Sequence, residues 1–402
     1  MSVGDTLRDQ ALTGVAALAT QQDALATLRA AGRDALAQLP FPDRKTERWK
    51  YTSVVPLQDG YLSRLAGDAS PVSIPDFGAT QLVIRNGVLP DVLPDIAGIT
   101  LARLDHIDDT PNSVFAGFNA AALKAGLSIS VAANTQVKDT LHLVYLGNST
   151  ANASYATRTE VNLGDNSRLT LVEHFIGEGP VLGSAHTRIN VGANAELLHY
   201  RLQSEAADTL HIGELEITQQ RDSRVKGFQL MRGNVLRRND VRVWMRGDGA
   251  DLVLRGIFIA RDNSHIDNQV CIEHATPHCT SDQVFKGIAG ETARAVFNGR
   301  IHIHPGACKT DAQLSNRNLL LSNSAEIDSK PELEIYNDDV KCGHGTTVGQ
   351  MDRQQLFYLQ SRGIGYEDAK RMLGVGFINE LLLDIPDEAI AEWARDWLGA
   401  AL

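Results

Sequence analysis

Between Gln81 and about Ile335 the apolar residues come in short alternating runs broken by Gly, Asn and Asp, such as Leu127-Ser-Ile-Ser-Val131, Leu169-Thr-Leu-Val172 and Leu252-Val-Leu254. A period of two marks strands with one buried face. Both ends of the chain keep a different rhythm. Over about the first 40 residues, Leu7, Leu12, Val15, Leu18, Leu25, Leu28, Leu36 and Leu39 fall near helical spacing among Ala and Gln. Gly14 and Gly32 weaken that helix, and Leu39-Pro40-Phe41-Pro42 ends it, because proline cannot continue a helix. A polar, aromatic link follows from Asp43 to Thr52, then a Pro/Gly/Asp-rich run to residue 80, and residues 102–124 read as a short helical or irregular stretch. In the tail, Asp352 has the chemistry of an N-cap, Leu356, Leu359 and Ile364 are periodic, and Gly363 is a stop. Two further amphipathic segments, Glu367–Leu383 and Asp387–Leu398, are divided by Pro386.

The central region repeats. Val161-x-Leu163-Gly164-Asp-Asn-Ser-Arg-Leu169 aligns with Ile189-x-Val191-Gly192-Ala-Asn-Ala-Glu-Leu197, and the frame continues through Gln220 and Gly247, with a looser copy at Ile129-x-Val131-Ala132. Equivalent positions at 164, 192, 220 and 247 are 28, 28 and 27 residues apart. Strand–turn–strand units at a constant period suit a stacked solenoid, and an antiparallel sandwich usually shows less constant spacing. The expectation is a β-helix core over residues 81–344, an N-terminal helical region and linker over 1–80, and a C-terminal helical domain over 345–402. The tail helices either cap the open end of the solenoid or dock a partner.

Composition narrows the function. A net charge of -11 across 402 residues leaves no basic surplus for nucleic acid phosphates. No run of about 18 uncharged apolar residues is present to span a membrane. The N-terminus, with Asp5 and Asp9, lacks the apolar stretch of a secretory signal. Four cysteines in the last third cannot frame a disulfide scaffold, so the reading is a reducing cytoplasmic compartment. The Arg residues between 221 and 246 read as charge alternation on a solvated strand face rather than a basic patch.

No nucleotide site is visible. Gly306-Ala-Cys-Lys309-Thr310 lacks the leading glycine and the spacing of a P-loop, and no G-x-G-x-x-G, G-x-S-x-G or H-E-x-x-H occurs. What stands out is a run of thiols and imidazoles: Cys271, His274, His278 and Cys279, then His302, His304, Cys308, Cys342 and His344. Such ligands suit iron–sulfur species or zinc. Cys-x2-His-x3-His-Cys is not a recognised zinc spacing, however, and a single Cys in a β-core is usually a small buried hydrophobe. On a strand, Cys342 and His344 share a face, and so do His302 and His304. Gly343 gives close access to the first pair. One reading makes His302 and His304 the metal pair of a stand-alone cupin-like enzyme; no Glu follows at the offset a cupin uses, and a 28-residue period does not suit a barrel.

The stretches Phe297-Asn-Gly299, Lys309-Thr-Asp-Ala312, Asn316-Arg-Asn-Leu-Leu-Leu-Ser322, Ser329-Lys-Pro331, Asp338-Asp-Val-Lys-Cys342-x-His344-Gly345, Leu356-Phe-Tyr-Leu359 and Ser361-Arg-Gly-Ile364 resemble the SufB/SufD family of the SUF iron–sulfur cluster assembly system. His265-x-Asp267, His274, Ser281 and Lys286-Gly-Ile288 fit as well, and Arg44-Lys-x-Glu47-x-Trp49-Lys-Tyr-Thr52 is similar to the SufD branch. The resemblance implies a right-handed parallel β-helix flanked by helical parts, and a non-catalytic scaffold subunit rather than an enzyme. It implies work beside a SufB-like paralogue and a SufC-like ABC-type ATPase, the latter docked on the C-terminal helical domain and supplying the nucleotide chemistry. The cargo would be a transient iron–sulfur cluster at the interface of the two paralogues, with Cys342 and His344 as this chain's ligands. Cys271, Cys279 and Cys308 are then structural or variable. In isolation the paralogue-binding edge could self-pair as a homodimer.

Overall fold

A computed structural model describes residues 2–107 and 109–402. The early strands are β1 (Thr80–Arg85), β2 (Thr100–Arg103), β3 (Gly126–Val131), β4 (Leu141–Asn148), β5 (Ala153–Leu163) and β6 (Arg168–Glu178). Next come β7 (Val181–Val191), β8 (Glu196–Gln203), β9 (Leu210–Gln219), β10 (Arg224–Arg232), β11 (Leu236–Met245) and β12 (Asp251–Ala260). The last are β13 (His265–His274), β14 (Thr280–Ala289), β15 (Arg294–Ile303), β16 (Asp311–Leu320), β17 (Glu326–Ile335) and β18 (Lys341–Gln350). Even-numbered strands from β4 onward follow β1 in a first sheet that ends at β18, and β2 with the odd-numbered strands from β3 onward forms a second sheet that ends at β17. Apart from β2 on β3, every pairing is parallel. The chain therefore winds from one sheet to the other and back, a parallel β-solenoid of about eight turns rather than an antiparallel sandwich or a barrel.

Alternation within each strand sends one row of side chains into the coil. Val161, Ile189, Ile217, Val243, Ile272 and Ile301 lie in register on successive strands of the second sheet, and all are buried. The turn residues explain the repeated Asn, Asp and Gly. Asn166, Asn194 and Asp222 adopt φ of 56°, 54° and 56° at equivalent turns, a left-handed conformation these residue types tolerate best. The turns also bond to one another: Asn166 Nδ2 donates to Asn134 Oδ1 (3.0 Å) and Asn194 Nδ2 to Asn166 Oδ1 (2.9 Å).

The helices lie on the outer faces of the sheets. At the N-terminus, α1 (Val3–Gly14) and α2 (Ala26–Gln38) are two helices joined by a 3-10 turn, where the leucine spacing alone suggested one. With α3 (Val114–Ala122) they bury Leu7, Leu28, Leu36 and Phe118 against Ala156, Leu182, Leu210 and Leu236 of the second sheet. Gly32, which weakens a lone helix, is a packing residue here: a Cβ would stand 2.5 Å from the Ala121 backbone nitrogen of α3. At the other end, α4 (Arg353–Ser361), α5 (Tyr366–Leu383) and α6 (Glu388–Gly399) follow β18. Ile378, Leu382, Ile390 and Leu398 pack on Tyr200, Phe228, Ile257 and Ile288 of the first sheet. Among the described residues the last coil stays partly uncovered, with Cys342 half-buried and Val348 46% exposed.

Candidate functional site

Cys342 and His344 both sit on β18, the terminal strand of the first sheet, opposite Ala312 and Leu314 of β16. Their side chains continue the inward row of Ala312 and Leu314, at the end of the stack where no further coil follows. With no further coil, Cys342 is half-buried against the core and His344 is exposed. The Lys341 backbone N–H donates to Thr310 O (2.8 Å), so by alternation residues 342, 344, 346 and 348 direct their N–H and C=O groups away from β16. Burial pushes the Cys342 thiol up, an N–H from the Ala312 backbone works against that, and the Asp311 charge adds to the rise. At neutral pH the group is a thiol, and a metal would have to displace its proton. Lys341 is exposed and forms no ion pair among the described residues. Gly343 makes room for a neighbour: a Cβ would come 2.7 Å from Gln313 Oε1. Two ligands about 6.6 Å apart along the strand can share one metal or cluster, and the remaining ligands must come from whatever covers the open end.

The other soft ligands do not converge on this pair. Cys271 faces outward from β13, His274 faces inward and bonds Ser281 Oγ (2.9 Å), and His278 occupies a left-handed turn at φ 61°. Cys279 is fully buried, its thiol 3.5 Å from the Gly247 carbonyl oxygen. The strand-face pair at 302 and 304 is real, with ring centroids 4.0 Å apart, and both residues are half-buried. Its carboxylate comes from the neighbouring coil. Glu273, the register partner of His302, accepts from His302 Nδ1 (2.7 Å) and His304 Nε2 (2.8 Å). Burial would raise the Glu273 carboxyl, but hydrogen bonds from His304 and Cys271 and the nearby His302 hold it below its ordinary value. Burial and the Glu273 charge push the Cys271 thiol up to about 11. A search along the sequence after His304 misses Glu273, whereas stepping back one coil from His302 lands on it.

The arginine-rich stretch also departs from expectation. Arg237 and Arg238 are buried, not solvated. Arg237 pairs with Glu205 (2.7 Å) inside the coil, and Arg238 pairs with Asp267 on the outer face while its guanidinium lies 4.0 Å from the Trp49 ring. Thr52 Oγ1 donates to the same Asp267 (2.5 Å), and Arg238 Nη1 donates to the Arg48 carbonyl (2.9 Å). The link around Trp49 and the His265-x-Asp267 pair, far apart in sequence, are thus one contact. Lys286 anchors the opposite face, donating to Glu380 (2.7 Å) and to the Phe377 carbonyl of α5 (2.8 Å). Beyond that anchor the C-terminal helices expose Phe357, Tyr358, Tyr366, Met372 and Leu383, and α4 buries none of its residues.

Comparison with known proteins adds to this geometry. Residues 145–377 match the family model described as SUF system FeS cluster assembly, SufBD core domain. The chain is similar to the iron-sulfur cluster assembly protein SufD of Escherichia coli (strain K12), 30% identical over 383 residues that cover 91% of this chain and 90% of the relative. It is also similar to an iron-sulfur cluster assembly SufBD family protein of Synechocystis, 28% identical over 417 residues covering 94% and 91%. A third similarity is to the SufD of Bacillus subtilis, 27% identical over 278 residues covering 68% and 63%.

Proposed function

Because this chain belongs to the SufB/SufD family of the SUF iron–sulfur cluster assembly system, we propose that it acts as a non-catalytic, SufD-like scaffold subunit on which a new cluster is built with partner proteins. The observation that carries the reading is β18: an edge strand at an uncovered coil end, bearing a thiol and an imidazole on one face. A SufB-like paralogue adds its own edge to β18, closes the coil end and supplies the missing ligands. Cys342 and His344 then hold the transient cluster as cargo. Two ligands from each side hold iron firmly enough to build on, and separation of the two edges releases the product. The SufC-like ATPase docks on the exposed aromatic surface of α4 and α5, and it supplies the nucleotide chemistry for which this chain has no loop. Without the paralogue, the same β18 edge self-pairs as a homodimer. Among the described residues no helix is long and apolar enough to cross a membrane, and cluster assembly in a reducing cytoplasm agrees with four free cysteines.

The test is reconstitution of the three-component complex with this chain carrying Cys342→Ala and His344→Ala. The complex should assemble as before, and its iron and sulfide content should fall. Unchanged iron and sulfide in the intact variant complex would remove these two residues from the site. Failure of the wild-type chain to capture a longer paralogue would remove the scaffold reading itself.

A further inference from the structure

The second grouping of ligands lies on another surface. Glu273, His302 and His304 stand on the outer face of the second sheet, on the coils just before terminal strand β17. One ligand atom from each falls within 4.8 Å of the others. Both imidazoles aim at the same carboxylate oxygen, and the side chains are 6%, 16% and 29% exposed respectively. Neighbours hold them in place. Cys271 Sγ donates to the other Glu273 oxygen (3.3 Å), and Arg300, gripped through two nitrogens by Glu334 (3.0 and 2.6 Å), stands 3.7 Å from it. An ion-pair hub would need one cation for this carboxylate, and Arg300 is already there. Two imidazoles converging beside it on a fixed register are the donor set of a two-histidine, one-carboxylate metal centre, with open positions on the solvent side.

We propose that Glu273, His302 and His304 bind one divalent first-row transition ion of the ferrous iron and zinc class, at a site separate from Cys342 and His344. The mixed nitrogen and oxygen donors select such an ion over calcium or magnesium. Three protein ligands and the partial exposure of His304 make the ion exchangeable rather than a closed structural centre. The proposal does not depend on the scaffold reading, since it rests on different strands and a different face.

Metal-free, untagged full-length chain titrated with cobalt(II) tests it directly, read by visible absorption and by iron(II) competition without oxygen. One equivalent should bind, without the thiolate-to-metal band that Cys271 or Cys342 ligation would give. His302→Ala with His304→Ala should weaken binding at least about tenfold, the scale of losing even an outer partner of a ligand. His304→Ala alone, at the most exposed of the three positions, keeps the test open if the double variant misfolds, and it should weaken binding in the same direction. Cys342→Ala with His344→Ala should bind cobalt as wild type does. Absence of stoichiometric binding by the wild type overturns the proposal. So does binding unchanged by the histidine substitutions, or binding lost with Cys342 and His344.

Discussion

The two ends of the solenoid are built from the same strand grammar and finished differently. At the start, the chain folds back over β1 and β2 and packs Leu89, Ile96 and Ile99 onto the core, leaving each under a tenth exposed. At the finish the equivalent core positions are left half-wet: Ile327, Leu333, Val340 and Cys342 are partly buried, and Val348 is 46% exposed. The two finishing strands also differ from each other. On β17 the outward row carries Glu326, Asp328, Lys330, Glu332 and Glu334, in ion pairs with Arg294, Arg300 and Glu47, and the free edge contains Pro331. On β18 the sequence Lys-Cys-Gly-His-Gly-Thr-Thr-Val-Gly-Gln carries no proline and no charge after Lys341. Charges and proline are the usual protections of an edge strand. Their presence on β17 and absence on β18 mark one edge as guarded and the other as available.

Core truncation should separate the two ends most. Leu89→Ala, at 3% exposure, removes a buried side chain that its surroundings cannot replace and should cost about 2–4 kcal/mol in a denaturant titration of the isolated chain. Leu333→Ala, at the half-wet end, should cost below about 1 kcal/mol because water already reaches it. Equal losses would mean that the last coil is covered in solution. Acid should act next, and on the early coils. Burial pushes His142 down to about 4, and burial with the neighbouring His142 pushes His174 to about 3; both sit under Phe77, and His174 packs on Trp393 of α6. The unfolded chain takes up protons near pH 6.5 while the folded chain refuses them until about pH 4. Stability is therefore whole above pH 6.5 and falls as the pH drops through that window, by at most about 1.4 kcal/mol per unit per group. Trp393 fluorescence should shift before the solenoid's circular dichroism changes, and His174→Phe should flatten the slope.

The solenoid was legible because its period is written in turn residues with a backbone reason to recur: Asn166, Asn194 and Asp222 hold the left-handed turn of successive coils. Cys342 and His344 were legible as a same-face pair because a strand fixes that parity locally. Glu273 was not, because its tie to His302 and His304 runs between coils, and the repeat frame of the turn residues extends only as far as Gly247. Arg237 and Arg238 depart from the expected solvated face for a related reason. Alternating charge looks solvated until the N-terminal link, Trp49 and Thr52 included, covers one face of the strand. Long-range covering of this kind leaves no mark in local periodicity.

The edges themselves can be exchanged. Thr346 directs its N–H away from β16, so Thr346→Pro removes no bond the folded chain uses and should leave its denaturation midpoint nearly unchanged. The same proline takes a donor from the edge that a partner strand would pair with. Capture of the longer paralogue should weaken at least about tenfold, read by native mass spectrometry, or about 1.4 kcal/mol. Unchanged capture would place the partner elsewhere than β18.

The converse substitution should have the smallest effect. The Tyr336 N–H donates to Ile303 (3.0 Å) and the Glu326 N–H to Ala293 (3.0 Å), so by alternation Pro331 faces the free side of β17 and breaks no ladder bond. Pro331→Val adds an edge donor and a β-branched side chain opposite Gly299, and it should change stability by no more than about 0.5–1 kcal/mol. What should change is behaviour between molecules. Removing one protection leaves the charges of β17 in place, so sedimentation should detect weak self-association only at high salt, where those charges are screened. Strong association at low salt would show that the proline alone guarded β17 and that the charge row does little. Association that appears only at high salt would assign the remaining guarding to the charges. In that case β18 is the available edge because it lacks them, and a row of Glu and Lys placed on residues 343, 345 and 347 should close it.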